Sequence, residues 1–293
     1  MKKFFPIAYV LLIVLGAVWG SSFILIKRGL DTFSPLHIGA YRMFAAGVVL
    51  LPIFLIWLPK AGIKNYKWFF LSGLLGNALP AVMFSLAQTQ LSSSVAGALN
   101  SLTPMFALIV GVVVYRIPFD RSKILGVTIG LLGALALILL GNSAEYKADF
   151  AYSLLVILAA LFYGINVNLI KEKFTESIPM VIAAFPIVFM AIPSFFILFF
   201  TGFFEEVSFE GVAFESLRAI SILAIFGTAL SLIAFNYLIQ ITNAVFASLT
   251  TYIIPIVALM WGVWDGESLN GFQVGGMGLI LLGVIIVRMK QKK

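Results

Sequence analysis

Trp19, Ser22, Asn77, Asn100, Tyr163, Asn166, Asn236 and Thr251 are hydrogen-bonding or aromatic side chains set inside otherwise apolar runs. In hydrocarbon an unmatched amide or hydroxyl costs a few kcal/mol. Such positions are therefore expected either to tie helices together or to line a polar path. The first role is worth only about 0.6 to 2 kcal/mol per bond. The second would offer a small molecule neutral hydrogen bonds and aromatic stacking surface. Trp19 and Ser22 stand three apart, as do Tyr163 and Asn166, so each pair shares one helix face.

Arg42 is the one charge well inside an apolar run, about 10 Å from its start at 1.5 Å per residue. It is read either as a structural anchor on backbone carbonyls or as a gate. Pro104 and Pro255 are placed mid-helix, where each removes a backbone donor and frees a carbonyl one turn earlier, and they are read as hinges. The chain has no cysteine and a single histidine, His37, so neither a thiolate nor a multi-histidine metal site is expected, and no cofactor is implied.

These positions must be carried by membrane helices. Of the 293 residues 62% are hydrophobic and 11% charged, with 28 phenylalanines, more apolar surface than a soluble domain could hide. Ten windows long enough to approach a bilayer span recur, near Ile7–Lys27, Pro35–Trp57, Trp68–Gln88, Val95–Tyr115, Ile124–Leu140, Tyr152–Ile170, Met180–Thr201, Ile220–Ile241, Val245–Trp264 and Val274–Val287. The fold class expected is an all-α integral membrane protein. The first window exceeds a signal-peptide core and lacks a cleavage signature, so it is read as a retained helix.

The net charge of +7 is no nucleic-acid footprint. With a cytoplasmic N-terminus, fourteen of the nineteen basic residues fall in inner segments, and only Lys27, Arg28, Lys147 and Arg218 fall outside. The positive-inside rule then puts both termini in the cytoplasm of a multi-pass protein in the inner or plasma membrane. Its partners are expected to be the lipid bilayer and a small-molecule substrate, with the chain a monomer or homodimer.

Shifted by 144, Gly20, Leu25, Ile26, Lys27, Pro35, Ile38 and Ala40 fall on Gly164, Leu169, Ile170, Lys171, Pro179, Ile182 and Ala184. Shifted by 151, Gly76, Ala78, Leu79, Phe84, Ala96 and Pro104 fall on Gly227, Ala229, Leu230, Phe235, Ala247 and Pro255. Two five-helix repeats, 1–143 and 144–293, are expected. An odd helix number forces the second copy upside down. That architecture puts substrate near the midplane between the copies and implies a transporter. Four pairs of polar positions match across the copies: Ser22 with Asn166, Asn77 with Thr228, Ser85 with Asn236, and Asn100 with Thr251.

"WGSSF", Lys27, Pro35 and "YRMFAAG", then "NSLTPMF", then "GESLNGFQVGGMGLILLGV" occur in order along the chain. Together they resemble the EamA family of the drug/metabolite transporter superfamily. The resemblance implies ten helices, a central cavity walled by segments 1, 3, 4, 6, 8 and 9, and movement, often export, of amino acids or other small metabolites. The family often carries an acid at the end of segment 4, where this chain reads "YRIPFDR", leaving Glu267 without a symmetric partner.

The residues and the resemblance lead to one expectation: alternating-access movement of a small neutral or zwitterionic metabolite, with the eight polar and aromatic positions lining its site. No buried carboxylate relay is visible, which favours facilitated diffusion or exchange over the alternative of a proton-coupled antiporter. A membrane-embedded enzyme would need a nucleophile with a base, or a metal cluster, at one depth. Neither is found, so no catalytic residue is assigned.

Overall fold

In a computed structural model the described residues are 5–60, 66–116, 122–139, 146–174, 177–242, 244–247, 249–267 and 269–289. Among them there are helices and turns but no strand. Seven helical stretches are long and apolar enough to cross a membrane, and shorter apolar helices accompany them. In chain order the main helices are α1 (Phe5–Gly29), α2 (Pro35–Trp57), α3 (Tyr66–Ala87), α4 (Ser93–Val113), α5 (Ser122–Leu139), α6 (Tyr146–Lys173), α7 (Pro179–Phe200), α8 (Gly211–Ile241), α9 (Thr250–Trp264) and α10 (Gly271–Met289).

Local sequence explains where they start and stop. Ser34 caps α2, accepting a hydrogen bond from the His37 amide at 3.2 Å, and Pro35 follows in the first turn, where its missing N–H costs nothing. Ser92 caps α4 in the same way, accepting from the Val95 amide at 3.3 Å. Lys27 and Arg28 occupy the last turn of α1, where the helix dipole favours cations.

Because lipid is as apolar as leucine, the helices associate mainly through close packing and interhelical hydrogen bonds. Small residues supply the approach. A methyl on Gly20 would come within 2.6 Å of Val257 on α9, and one on Gly283 of α10 would meet the Gly126 carbonyl and Gly130 of α5. The spaced glycines of α1 and α5 are thus packing surfaces. Outward, Phe195, Phe196, Phe199 and Phe200 make an exposed aromatic strip on α7 suited to lipid.

Two helices depart from regular winding. α3 widens into a π segment over Leu74–Ala78, and α8 does so over Ile225–Leu230. Such bulges re-aim side chains and accompany functional sites. α4 also breaks, at Ser101 and Leu102, between helical pieces Ser93–Asn100 and Thr103–Val113. Pro104 therefore opens the second piece and is not mid-helix as the sequence suggested: the chain turns just before the proline, so no interior hydrogen bond has to be sacrificed. Pro255 does lie inside its helix, α9.

Candidate functional site

The polar face of α1 meets the widened part of α8. Trp19 Nε1–H donates to the Gly227 carbonyl at 3.1 Å, and the indole packs on Phe235 with ring centres 5.1 Å apart. One turn on, Ser22 is buried; its hydroxyl donates to the Val18 carbonyl at 3.2 Å and lies 3.2 Å from where a methyl on Gly227 would sit. The glycine lets α8 approach and keeps its carbonyl within reach of the indole.

α6 meets α3 in a matching way. The Tyr163 ring stacks on Phe84, with centres 6.1 Å apart and planes at 24°. Asn166 lies directly on Gly76, where any side chain would collide with its amide nitrogen. Asn166 is only 9% exposed, and its Oδ1 has no hydrogen-bond partner. Beside it Asn77, in the π segment, is half-buried.

Arg42 joins the two sets. Its Nε–H donates to Thr228 Oγ1 at 2.7 Å, and Thr228 in turn donates to the Leu223 carbonyl at 3.3 Å, an acceptor five residues back that the π winding brings into range. Arg42 also lies close enough to the Tyr163 phenol to interact with it electrostatically. Arg42 and Tyr163 keep partial exposure although they sit among packed helices. α2 thus contributes to the site, a wall that the family resemblance did not imply.

The other candidates are arranged differently. Asn100 Oδ1 is 3.4 Å from Thr103 Oγ1, across the break in α4, and Asn236 donates within its own helix to the Leu232 carbonyl at 2.8 Å. Ser85 likewise donates to the Ala81 carbonyl at 2.8 Å. Thr251 is half-buried in the first turn of α9, one turn before Pro255. Pro104 lies in α4 and Pro255 in α9, and neither side chain has a hydrogen-bonding group to offer the site.

Two features escaped sequence reading. Asn168 donates to the Ala107 carbonyl at 2.8 Å and to the Gly164 carbonyl at 2.9 Å, latching α6 to α4 where Gly164 packs on Phe106 and Ala107. Its equivalent at the 144 offset, Ile24, is apolar, so the matching of polar positions does not mark it. Thr228 was seen only as the match of Asn77; its position opposite Arg42 depends on helix packing.

At the end of α1 that carries Lys27 and Arg28, Asp265 and Glu267 are engaged. Glu267 accepts from the Ser93 amide at 2.7 Å, the Ser94 amide at 3.1 Å and the Ser94 hydroxyl at 2.8 Å, so its carboxylate caps α4. Lys27 Nζ lies 2.7 Å from Asp265 and 3.3 Å from Glu267, and Arg28 also pairs with Asp265. His37, the single histidine, is buried between Glu206 and Thr201, each 2.9 Å away. A cavity of about 550 Å³ opens here, lined in part by Lys27, Asp31, Gln88 and Glu206. No three potential metal ligands converge among the described residues. Asp120, in the stretch that departs from the family pattern, lies outside the described residues.

The model of the EamA-like transporter family matches residues 6–139 and again 151–289. An uncharacterized transporter of Archaeoglobus fulgidus is 26% identical over 99% of this chain and 100% of its own. An S-adenosylmethionine/S-adenosylhomocysteine transporter of Chlamydia trachomatis is 27% identical over 95% of this chain and 88% of its own. A solved crystal structure superposes with a TM-score of 0.65 at 16% identity, covering 97% of each chain, and shares the fold. With two matches that together span nearly its whole length, this chain belongs to the EamA-like transporter family.

Proposed function

We propose that this transporter crosses the bilayer ten times as two inverted five-helix repeats, 1–143 and 144–293, and carries small neutral or zwitterionic metabolites, amino-acid-like in character, by alternating access. The observation that carries the reading is a set of contacts that recurs at the two sequence offsets. Trp19 packs on Phe235 as Tyr163 packs on Phe84. Ser22 lies beside Gly227 as Asn166 lies beside Gly76. The π segments begin at Leu74 and Ile225, 151 residues apart. In each case a helix of one half packs on a helix of the other, the arrangement that lets one mouth open as the other shuts.

The short helices fit the proposal. α9 has 15 residues, about 22 Å at 1.5 Å each, and a modest local thinning of the bilayer accommodates that length. The charge bias supports cytoplasmic termini. Asp265 and Glu267 are committed to Lys27 and to the α4 cap, which supports movement without a carboxylate proton relay.

Counterflow in liposomes at equal pH on both sides tests the reading, with labelled neutral amino acids and S-adenosylmethionine, the latter taken from the chlamydial relative's name. Saturable exchange without a pH gradient is expected. Uptake that strictly requires such a gradient would contradict the coupling, and absence of flux for every compound would contradict the carrier.

A further inference from the structure

We propose that Arg42 is the carboxylate-docking residue of this site, so that the protein carries metabolites with a free carboxylate and discriminates against their amides and amines. The inference rests on the carrier reading above and narrows its substrate class.

A guanidinium has five N–H donors in a planar fork. Only Nε–H of Arg42 has a partner among the described residues, Thr228 Oγ1. That bond holds the fork across to α8 instead of letting the chain extend toward the interface, the usual escape for a basic side chain near a helix end. The Nη edge, the part that matches a carboxylate with two parallel hydrogen bonds, is left open.

No described acid pairs with it. Asp265 and Glu267 neutralise Lys27, Glu206 faces His37, and Glu215 pairs with Arg218. A cation held inside packed membrane helices without a counterion is costly, and a ligand anion removes the cost. The surroundings are neutral and the fork is single, which suits one negative charge better than the two of a phosphate.

The second observation lies on α6. Tyr163, which is in electrostatic reach of Arg42, and Asn166 share a helix face one turn apart, separated by about 4.5 Å of rise. Asn166 Oδ1 is a buried acceptor without a donor. The donor fork, in electrostatic reach of Tyr163, and the orphaned acceptor one turn along the same helix from Tyr163 offer complements to the carboxylate and the ammonium of an α-amino acid. The Trp19–Phe235 and Tyr163–Phe84 pairs supply apolar surface for its side chain.

The test uses the purified full chain in liposomes, with L-phenylalanine, L-methionine and L-threonine each compared with its carboxamide, and with inorganic phosphate as competitor. The amino acids are expected to exchange with half-saturation about 10- to 100-fold below their amides, the range of a charge-assisted pair, and phosphate is expected not to compete. In Arg42→Gln the acid-over-amide preference should vanish, while Arg42→Lys should retain part of it. If Arg42→Gln fails to fold, the wild-type comparison still decides. Equal exchange of acids and amides, or competition by phosphate, overturns the role of Arg42 and leaves the carrier standing. Absence of exchange for all six compounds overturns the assignment; flux of any other compound in that case would preserve the carrier.

Discussion

At the 144 offset Arg42 of α2 corresponds to Pro186 of α7, and the surroundings of the two differ accordingly. Around Arg42 the neighbouring π segment presents Thr228, whose hydroxyl accepts the guanidinium N–H. Around Pro186 the helices close in. Gly73 of α3 lies against the Pro186 carbonyl so tightly that no side chain fits, and Asn77, the counterpart of Thr228, has a proline at the position matching Arg42. The aromatic pairs and the glycine crossings are shared by both sides, whereas the charge belongs to one. Matching packing on the two sides thus builds the frame, and the unmatched arginine gives it chemical polarity.

Two contrasts test that difference, the larger first. Gly73→Ala forces a methyl onto a backbone carbonyl that cannot swing away, and overpacking of this kind costs about 1–3 kcal/mol. Its counterpart at the 151 offset, Ala224, already carries the methyl; Ala224→Gly is expected to lose only about 1 kcal/mol, the helix-propensity difference. Thermal unfolding in detergent checks the order, and an equal loss in both would show that the two sides are packed alike. The smaller contrast concerns the π segments. In Gly76→Ala the new methyl displaces the Asn166 amide, whereas in Gly227→Ala the nearest atoms are Leu223 Cδ1 at 3.1 Å and Ser22 Oγ at 3.2 Å, which need shift by only tenths of an ångström. Half-saturation for exchange is expected to rise about 10-fold in the first, equivalent to about 1.4 kcal/mol, and less than about 2-fold in the second. The reverse order would remove Asn166 from the site.

Hydropathy makes the spans readable because a bilayer demands long apolar runs, and Trp19, Ser22, Tyr163 and Asn166 are readable because they match at the 144 offset. The π segments left no compositional trace: a bulge is one extra residue per turn, and Gly76–Asn77 reads as part of an ordinary helix. The partner of Arg42 was hidden for another reason. With no acid in any of the sequence windows, backbone carbonyls are the only partners the sequence suggests, and a threonine hydroxyl 186 positions away is found only once α2 and α8 are packed. Ser22 and Asn166 also proved more tightly packed than lining residues need be, so conservative changes there test ligand contact better than bulky ones.

The central claim is that one site is walled from opposite halves by Trp19 and Tyr163. Its most direct test is half-saturation for counterflow in Trp19→Leu and Tyr163→Leu at matched amounts of monodisperse protein, with Leu135→Ser on the exposed face of α5 as control. Both aromatic variants are expected to weaken half-saturation by about 10-fold or more, the scale of a lost aromatic contact in a ligand site, while the control leaves it unchanged. Unchanged half-saturation in either aromatic variant would contradict a shared site.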